Sequence, residues 1–161
     1  MTRLFLADDH IVIRDGLELL ISKQEDMEVI GRASNGRNAV EWALALKPDV
    51  VVMDITMPEL DGIEATRRIR GADPGIQVIG LSMHRETHYV VKMIQAGARG
   101  YLLKHCVFDE LREAIQAVLA GKLYVCRHLT SIRIKETDVN VEVVQSVDSL
   151  LTAREREVMQ L

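Results

Sequence analysis

Short apolar runs, each cut off by a polar residue and separated from the next by a stretch with helical spacing, constrain this chain more than any other feature. The runs are Leu4-Phe5-Leu6-Ala7 before Asp8-Asp9, Val50-Val51-Val52-Met53 before Asp54, Val78-Ile79-Gly80-Leu81 before Ser82, and Tyr101-Leu102-Leu103 before Lys104. Such short continuous apolar runs read as strands buried on both faces, the habit of a parallel sheet. Between them, Ile13, Leu17, Leu20 and Ile21 recur at helical spacing, and Met27 to Ser34 reads as a second strand closed by Asn35-Gly36. Ala39, Ala43 and Leu46 form the next apolar stripe, which Pro48 stops. Three more helices follow over Gly62 to Ala72, Glu86 to Ala96 and Phe108 to Leu119, punctuated by Asp73-Pro74-Gly75, Gly97 and Gly121.

Five strands alternate with five helices, and right-handed crossovers place such helices on both faces of a parallel sheet. The expected fold is therefore α/β: a doubly wound five-stranded parallel sheet of flavodoxin-like type, strand order 2-1-3-4-5. In such sheets ligands bind outside the carboxyl ends of the strands. That edge collects Asp8, Asp9, Asp54, Ser82 and Lys104. Two carboxylates about 4 Å apart repel by about 4 kcal/mol at an effective dielectric near 20, so three acids together call for a neutralising cation. Oxygen donors select a hard ion, and Mg²⁺ suits one or two carboxylates plus phosphate oxygens. The expected ligands are Asp9 and Asp54 directly, Asp8 through water, and the backbone carbonyl of Thr56. An aspartate beside such an ion is a competent nucleophile toward phosphorus, which makes Asp54 the acceptor, with Lys104 and Ser82 on the remaining phosphoryl oxygens.

Each of these residues alone has a plainer reading. An Asp or Ser here often caps a helix, and a lysine after a strand usually ends in solvent. Acids on strands one and three together with a cation on strand five are not explained by independent caps. His10 and His84 lie near the cluster without a partner legible in the sequence and are read as solvent-facing loop residues.

Composition sets the outer limits. Hydrophobic residues make up 48% and charged residues 27%, the balance of a globular core. No apolar run approaches the roughly 20 residues of a membrane span, so a cytoplasmic location is expected and no membrane partner. The net charge of −4 gives no footprint for a nucleic-acid backbone. Cys106 and Cys126 lack metal-type spacing and read as reduced thiols without a functional role. The pattern divides the chain into a domain over residues 1–121, a linker over 122–149, and a new helix over 150–161 opened by the capping box Thr152-Ala153-Arg154-Glu155. Within the linker, Val139, Val141 and Val143 alternate like a strand, while Val143, Val144 and Val147 equally suit a helix. The apolar Leu151, Val158 and Leu161 of the last segment lack a domain to pack into, as in a fragment.

With those residues in view, the chain resembles the receiver domain of two-component response regulators of the NarL/FixJ type, over roughly Thr2 to Gly121. The segments that carry the resemblance are Leu6-Ala7-Asp8-Asp9-His10, Met53-Asp54-Ile55-Thr56-Met57-Pro58 leading to Asp61-Gly62, and Ala96-Gly97-Ala98-Arg99-Gly100-Tyr101-Leu102-Leu103-Lys104. The resemblance implies that Asp54 is the phosphoacceptor, Asp8 and Asp9 the acidic pair for Mg²⁺, Ser82 the switch hydroxyl, Tyr101 the switch aromatic and Lys104 the phosphate-contacting lysine. His105 stands where many receivers have proline. Leu151 to Val158 resembles the opening of a LuxR-type helix-turn-helix domain whose recognition helix is absent from these residues. The implied protein is a phosphoacceptor switch rather than an enzyme, catalysing only its own Mg²⁺-dependent phosphorylation and dephosphorylation. Its implied partners are a sensor histidine kinase, promoter DNA for the full-length protein but not specifically for these residues, and a second copy on activation. A phosphohydrolase of the haloacid dehalogenase type is the rival reading, but it requires a second acid two residues after the nucleophile, where Thr56 stands. A phosphorylation-independent module on the same scaffold is disfavoured by the complete set of acids and lysine.

Overall fold

The computed structural model describes residues 1–129 together with 143–144. Elements follow in the order β1 (Thr2–Ala7), α1 (Ile11–Ser22), β2 (Met27–Ala33), α2 (Gly36–Leu46), β3 (Val50–Asp54), α3 (Gly62–Ala72), β4 (Gln77–Ser82), α4 (Thr87–Gln95), β5 (Gly100–Leu103), α5 (Val107–Leu119) and β6 (Leu123–Val125). A 3₁₀ turn over Arg127–Leu129 and a two-residue strand β7 (Val143–Val144) complete the described elements. All pairings are parallel, in the order β2-β1-β3-β4-β5-β6-β7. The expected flavodoxin-like order 2-1-3-4-5 is present, with five helices among the described residues.

The sheet continues where the sequence reading placed a linker. Beyond Gly121, β6 pairs with β5 through Gly100↔Tyr124 and Tyr101↔Val125, and β7 pairs with β6. Leu123-Tyr124-Val125 is three residues long, too short to show a period, which is why it escapes a pattern search. Val143 and Val144 adopt the strand alternative; the capping box at Thr152 and the rest of 130–161 lie outside the described residues.

The runs that end in polar residues are the middle of the core: Leu4 to Leu6, Val50 to Met53 and Val78 to Leu81 are almost wholly buried. Turn chemistry then sets where the helices begin. Asn35 accepts from the Asn38 N–H and Asp61 from the Glu64 N–H, capping α2 and α3. Lys47 ends α2 in a left-handed conformation, φ 53°, just before Pro48. The glycine opening α3 has a packing reason. A Cβ on Gly62 would stand 2.1 Å from the backbone oxygen of Asp54, so only a bare Cα lets α3 start against the end of β3.

Candidate functional site

Register brings the polar strand ends to one level. Ala7 pairs with Met53, so Asp8 stands beside Asp54; Asp54 pairs with Leu81, so Ser82 is one step beyond; Ser82 pairs with Leu103, so Lys104 follows. Asp8, Asp54, Ser82 and Lys104 are all buried, while Asp9 is exposed. Carboxylate oxygens of Asp8, Asp9 and Asp54 and a ring nitrogen of His10 lie within 4.8 Å of one another.

The Lys104 ammonium sits in the centre. Nζ donates to Asp54 Oδ2 at 3.0 Å and to Asp8 Oδ1 at 3.3 Å, and meets His10 Nδ1 at 2.6 Å. An ammonium has only donors, so His10 Nδ1 accepts and its ring proton belongs on Nε2. The 3.2 Å approach of His10 Nδ1 to Asp8 Oδ1 is then a contact rather than a hydrogen bond. His10 is thus part of the cluster, although its ring is more than half exposed and the sequence offered it no partner. Helix spacing hides this contact: His10 is the residue before α1, turned back by the hydrogen bond from its own N–H to Asp8 Oδ1.

One lysine does not satisfy two buried acids. Asp8 Oδ2 lies 3.3 Å from Nζ but outside hydrogen-bonding geometry, and it is buried without a partner. Burial first, and the neighbouring Asp8 charge second, push the Asp54 pKa from 3.8 up to about 7, against the Lys104 hydrogen bond that pulls it down. A buried orphan oxygen inside a ring of acids is the polarity a hard divalent ion matches. The donor set therefore fits Mg²⁺.

The far side of the cluster is a pair of clamps on one residue. Ser82 Oγ accepts the His84 N–H at 2.9 Å, and the Tyr101 hydroxyl donates to the His84 carbonyl at 2.7 Å. Tyr101 is fully buried, and burial raises its phenol pKa to about 12. The ring of the expected switch aromatic points inward beneath the β4–α4 loop, where its hydroxyl finds a carbonyl. The His84 ring stacks on Tyr89 with centroids 4.1 Å apart, so this histidine too has partners that its position in the sequence did not reveal. Thr56 is exposed and gives its N–H to Asp54 Oδ1 at 3.2 Å.

Comparison with known proteins points the same way. The response regulator receiver domain model matches residues 4–116. The transcriptional regulatory protein DegU of Brevibacillus brevis is 35% identical over 99% of this chain and 73% of its own length. The response regulator UvrY of Escherichia coli O6:H1 is 34% identical over 99% of this chain and 72% of its own. Among solved structures, a two-component response regulator of the LuxR family from Aurantimonas sp. SI85-9A1 superposes with a TM-score of 0.75 at 32% identity, covering 98% of this chain and 99% of that one.

Proposed function

The chain belongs to the response regulator receiver domain family, and from that premise we propose that it is a phosphoacceptor switch in a two-component pathway, with Asp54 as the residue phosphorylated. The observation that carries this reading is the Asp54 carboxylate held by Lys104 at 3.0 Å beside an Asp8 whose buried Oδ2 has no hydrogen-bond partner. A carboxylate oxygen of Asp54 attacks the phosphorus of a phosphohistidine, the P–N bond breaks, and the imidazole leaves with the electron pair, giving an aspartyl phosphate. Asp8, Asp9, Asp54 and the Thr56 carbonyl would hold Mg²⁺, which when bound supplies neutralisation of the phosphoryl oxygens. Lys104 takes one of those oxygens, exchanging its bond to Asp54 Oδ2. With Thr56 offering a backbone N–H rather than a carboxyl, no side-chain acid stands two residues on to speed hydrolysis, which suits a lasting signal.

The signal passes through the clamps on His84. A phosphoryl group adds about 1.5 to 2 negative charges and three acceptor oxygens, and the Ser82 hydroxyl turns to donate to one of them. That movement breaks its bond to the His84 N–H, and of the two hydrogen bonds that clamp the His84 backbone only the one from Tyr101 remains. Moving such a two-state element from 1:99 to 99:1 takes about 5.5 kcal/mol of differential stabilisation, within reach of a few charge-assisted hydrogen bonds. Ile11 and Val12, 61% and 83% exposed at the start of α1, and Met83, 72% exposed, surround the cluster with an apolar surface on which a histidine kinase can dock. Because the DegU relative is named a transcriptional regulator, the output we assign to the whole protein is control of promoter DNA through a LuxR-type domain, with homodimerisation on activation. None of the helices among the described residues is long and apolar enough to cross a membrane, and we place the pathway in the cytoplasm.

The test is intact mass after incubation with acetyl phosphate, with and without Mg²⁺. A base-labile adduct that needs Mg²⁺ and disappears in Asp54→Asn supports the reading. Equal labelling of Asp54→Asn, or no adduct on the parent under any condition, refutes it.

A further inference from the structure

A second cluster lies at the other side of β5, outside everything the phosphoacceptor reading uses. Cys106 in the turn before α5, Glu110 in the first turns of α5, and Cys126 just after β6 are each buried to 2% exposure or less. Their two sulfurs and a carboxylate oxygen lie within 4.8 Å of one another. Both sulfurs are present as thiols. Cys106 Sγ donates to the Leu103 carbonyl at 3.2 Å, and Cys126 Sγ to Glu110 Oε2 at 3.2 Å. The carboxylate is fixed from outside the cluster as well: Glu110 Oε1 accepts from the Tyr124 hydroxyl at 2.6 Å and from the Arg127 N–H at 3.2 Å.

We propose that Cys106, Cys126 and Glu110 form a binding site for a thiolate-preferring divalent ion of the Zn²⁺ class, separate from the acidic Mg²⁺ cluster. Two sulfurs and one carboxylate are a donor set that soft and borderline ions accept and Mg²⁺ does not. Charge closes as well. Two thiolates and a carboxylate carry three negative charges, a divalent ion leaves one, and the Arg127 guanidinium, 3.4 Å from Glu110 Oε1, supplies its counter-charge. Arg127 Nη2 also lies 3.5 Å from Glu113, whose carboxylate accepts from the Tyr124 hydroxyl at 3.1 Å. Tyr124 and the Arg127 N–H hold the ligand carboxylate in place, the role outer partners play in metal centres. Binding one ion releases the two thiol protons to solvent, and the fourth position of a tetrahedral ion falls to water or to the second Glu110 oxygen. The three donors come from the turn after β5, from α5 and from β6, so an ion there ties the end of the extended sheet to the helix beside it. Cys106 is two residues from Lys104, which sets the two centres at opposite ends of one short turn.

The experiment is a titration of the reduced, metal-free 161-residue chain with Co²⁺ in excess Mg²⁺, read by absorbance, followed by back-titration with Zn²⁺. One Co²⁺ per chain with an intense thiolate-to-cobalt charge-transfer band, bleached by Zn²⁺, is expected. Cys126→Ser should lose the band, Asp9→Ala should keep it, and Tyr124→Phe should weaken binding about 10-fold. A parent spectrum lacking the thiolate band overturns the proposal without reliance on any variant. So does Co²⁺ binding of equal strength in Cys126→Ser, or recovery of the purified chain with the two sulfurs joined as a disulfide that excludes metal.

Discussion

Asp54 and Glu110 are both 1% exposed, yet their environments treat the charge in opposite ways. Burial penalises ionisation in each. At Asp54 the neighbours are another acid, a lysine shared with that acid, and one backbone N–H, and the pKa climbs to about 7. At Glu110 burial also pushes upward, but hydrogen bonds from Tyr124, the Arg127 N–H and the Cys126 thiol outweigh it and hold the carboxyl below its usual range. Burial alone therefore does not decide whether an acid is charged; the number of donors aimed at it does. An acid that must accept a covalent phosphoryl group has to be left short of donors, whereas Glu110 is held by several, one of them a thiol whose proton would leave when an ion binds.

Removing each acid should then move stability in opposite directions. Glu110→Ala leaves the Tyr124 hydroxyl only its longer bond to Glu113, takes the acceptor from the Arg127 N–H and the buried Cys126 thiol, and opens a small cavity, and about 3 kcal/mol of destabilisation is expected in urea unfolding. A loss under about 1 kcal/mol breaks the comparison, because Glu110 would then be dispensable to its neighbours.

Asp54→Asn should do the reverse in metal-free buffer. The folded-state pKa lies above the unfolded value of 3.8, so the native chain binds more protons than the unfolded chain between about pH 4 and 7. Stability contributed by this group is present below pH 4 and is lost as the pH rises through 7. Asparagine does not titrate, so the variant should gain on the parent across that window; the shift is worth about 4 kcal/mol at most, and with the charge-assisted bond to Lys104 given up the net gain is about 2 kcal/mol at pH 8 and little at pH 4. Saturating Mg²⁺ should shrink the gap by stabilising the parent. A variant less stable than the parent at pH 8 without metal would show that Lys104 satisfies Asp54 after all.

The first of these two acids was legible in the sequence and the second was not. Asp8, Asp54, Ser82 and Lys104 each follow a strand-like run, and a parallel sheet in register brings the residues after such runs together whatever the details of packing. Strand order and helix number followed from the same alternation. Cys106, Glu110 and Cys126 are joined by a different kind of link. Their meeting depends on β6, a three-residue strand without a period, which pairs Tyr101 with Val125 and draws the Cys126 N–H to the Tyr101 carbonyl at 2.9 Å. No spacing rule connects residues 106 and 126 before that pairing is known. His10 was missed for a related reason: its contact with Lys104 depends on a two-residue turn back onto Asp8, a local geometry that residue identity alone does not specify.

The clamps on His84 allow a finer version of the same comparison, because here two donors and acceptors act on one peptide rather than on one acid. Tyr101→Phe keeps the ring that fills the space under the β4–α4 loop and deletes the hydroxyl that donates to the His84 carbonyl, which is near enough to solvent for water to replace it. The expected cost is about 1 kcal/mol, the net worth of one hydrogen bond, and smaller than either acid substitution. Its more telling effect is local. The His84 N–H stays bonded to Ser82 Oγ, so hydrogen exchange should quicken across Met83 to Glu86 while β4 and β5 remain protected. If exchange in that segment is unchanged, Tyr101 only fills space and the loop depends on Ser82 alone. If exchange quickens through β5 as well, the ring itself has been displaced, and the hydroxyl is what keeps the aromatic inward before any phosphoryl group arrives.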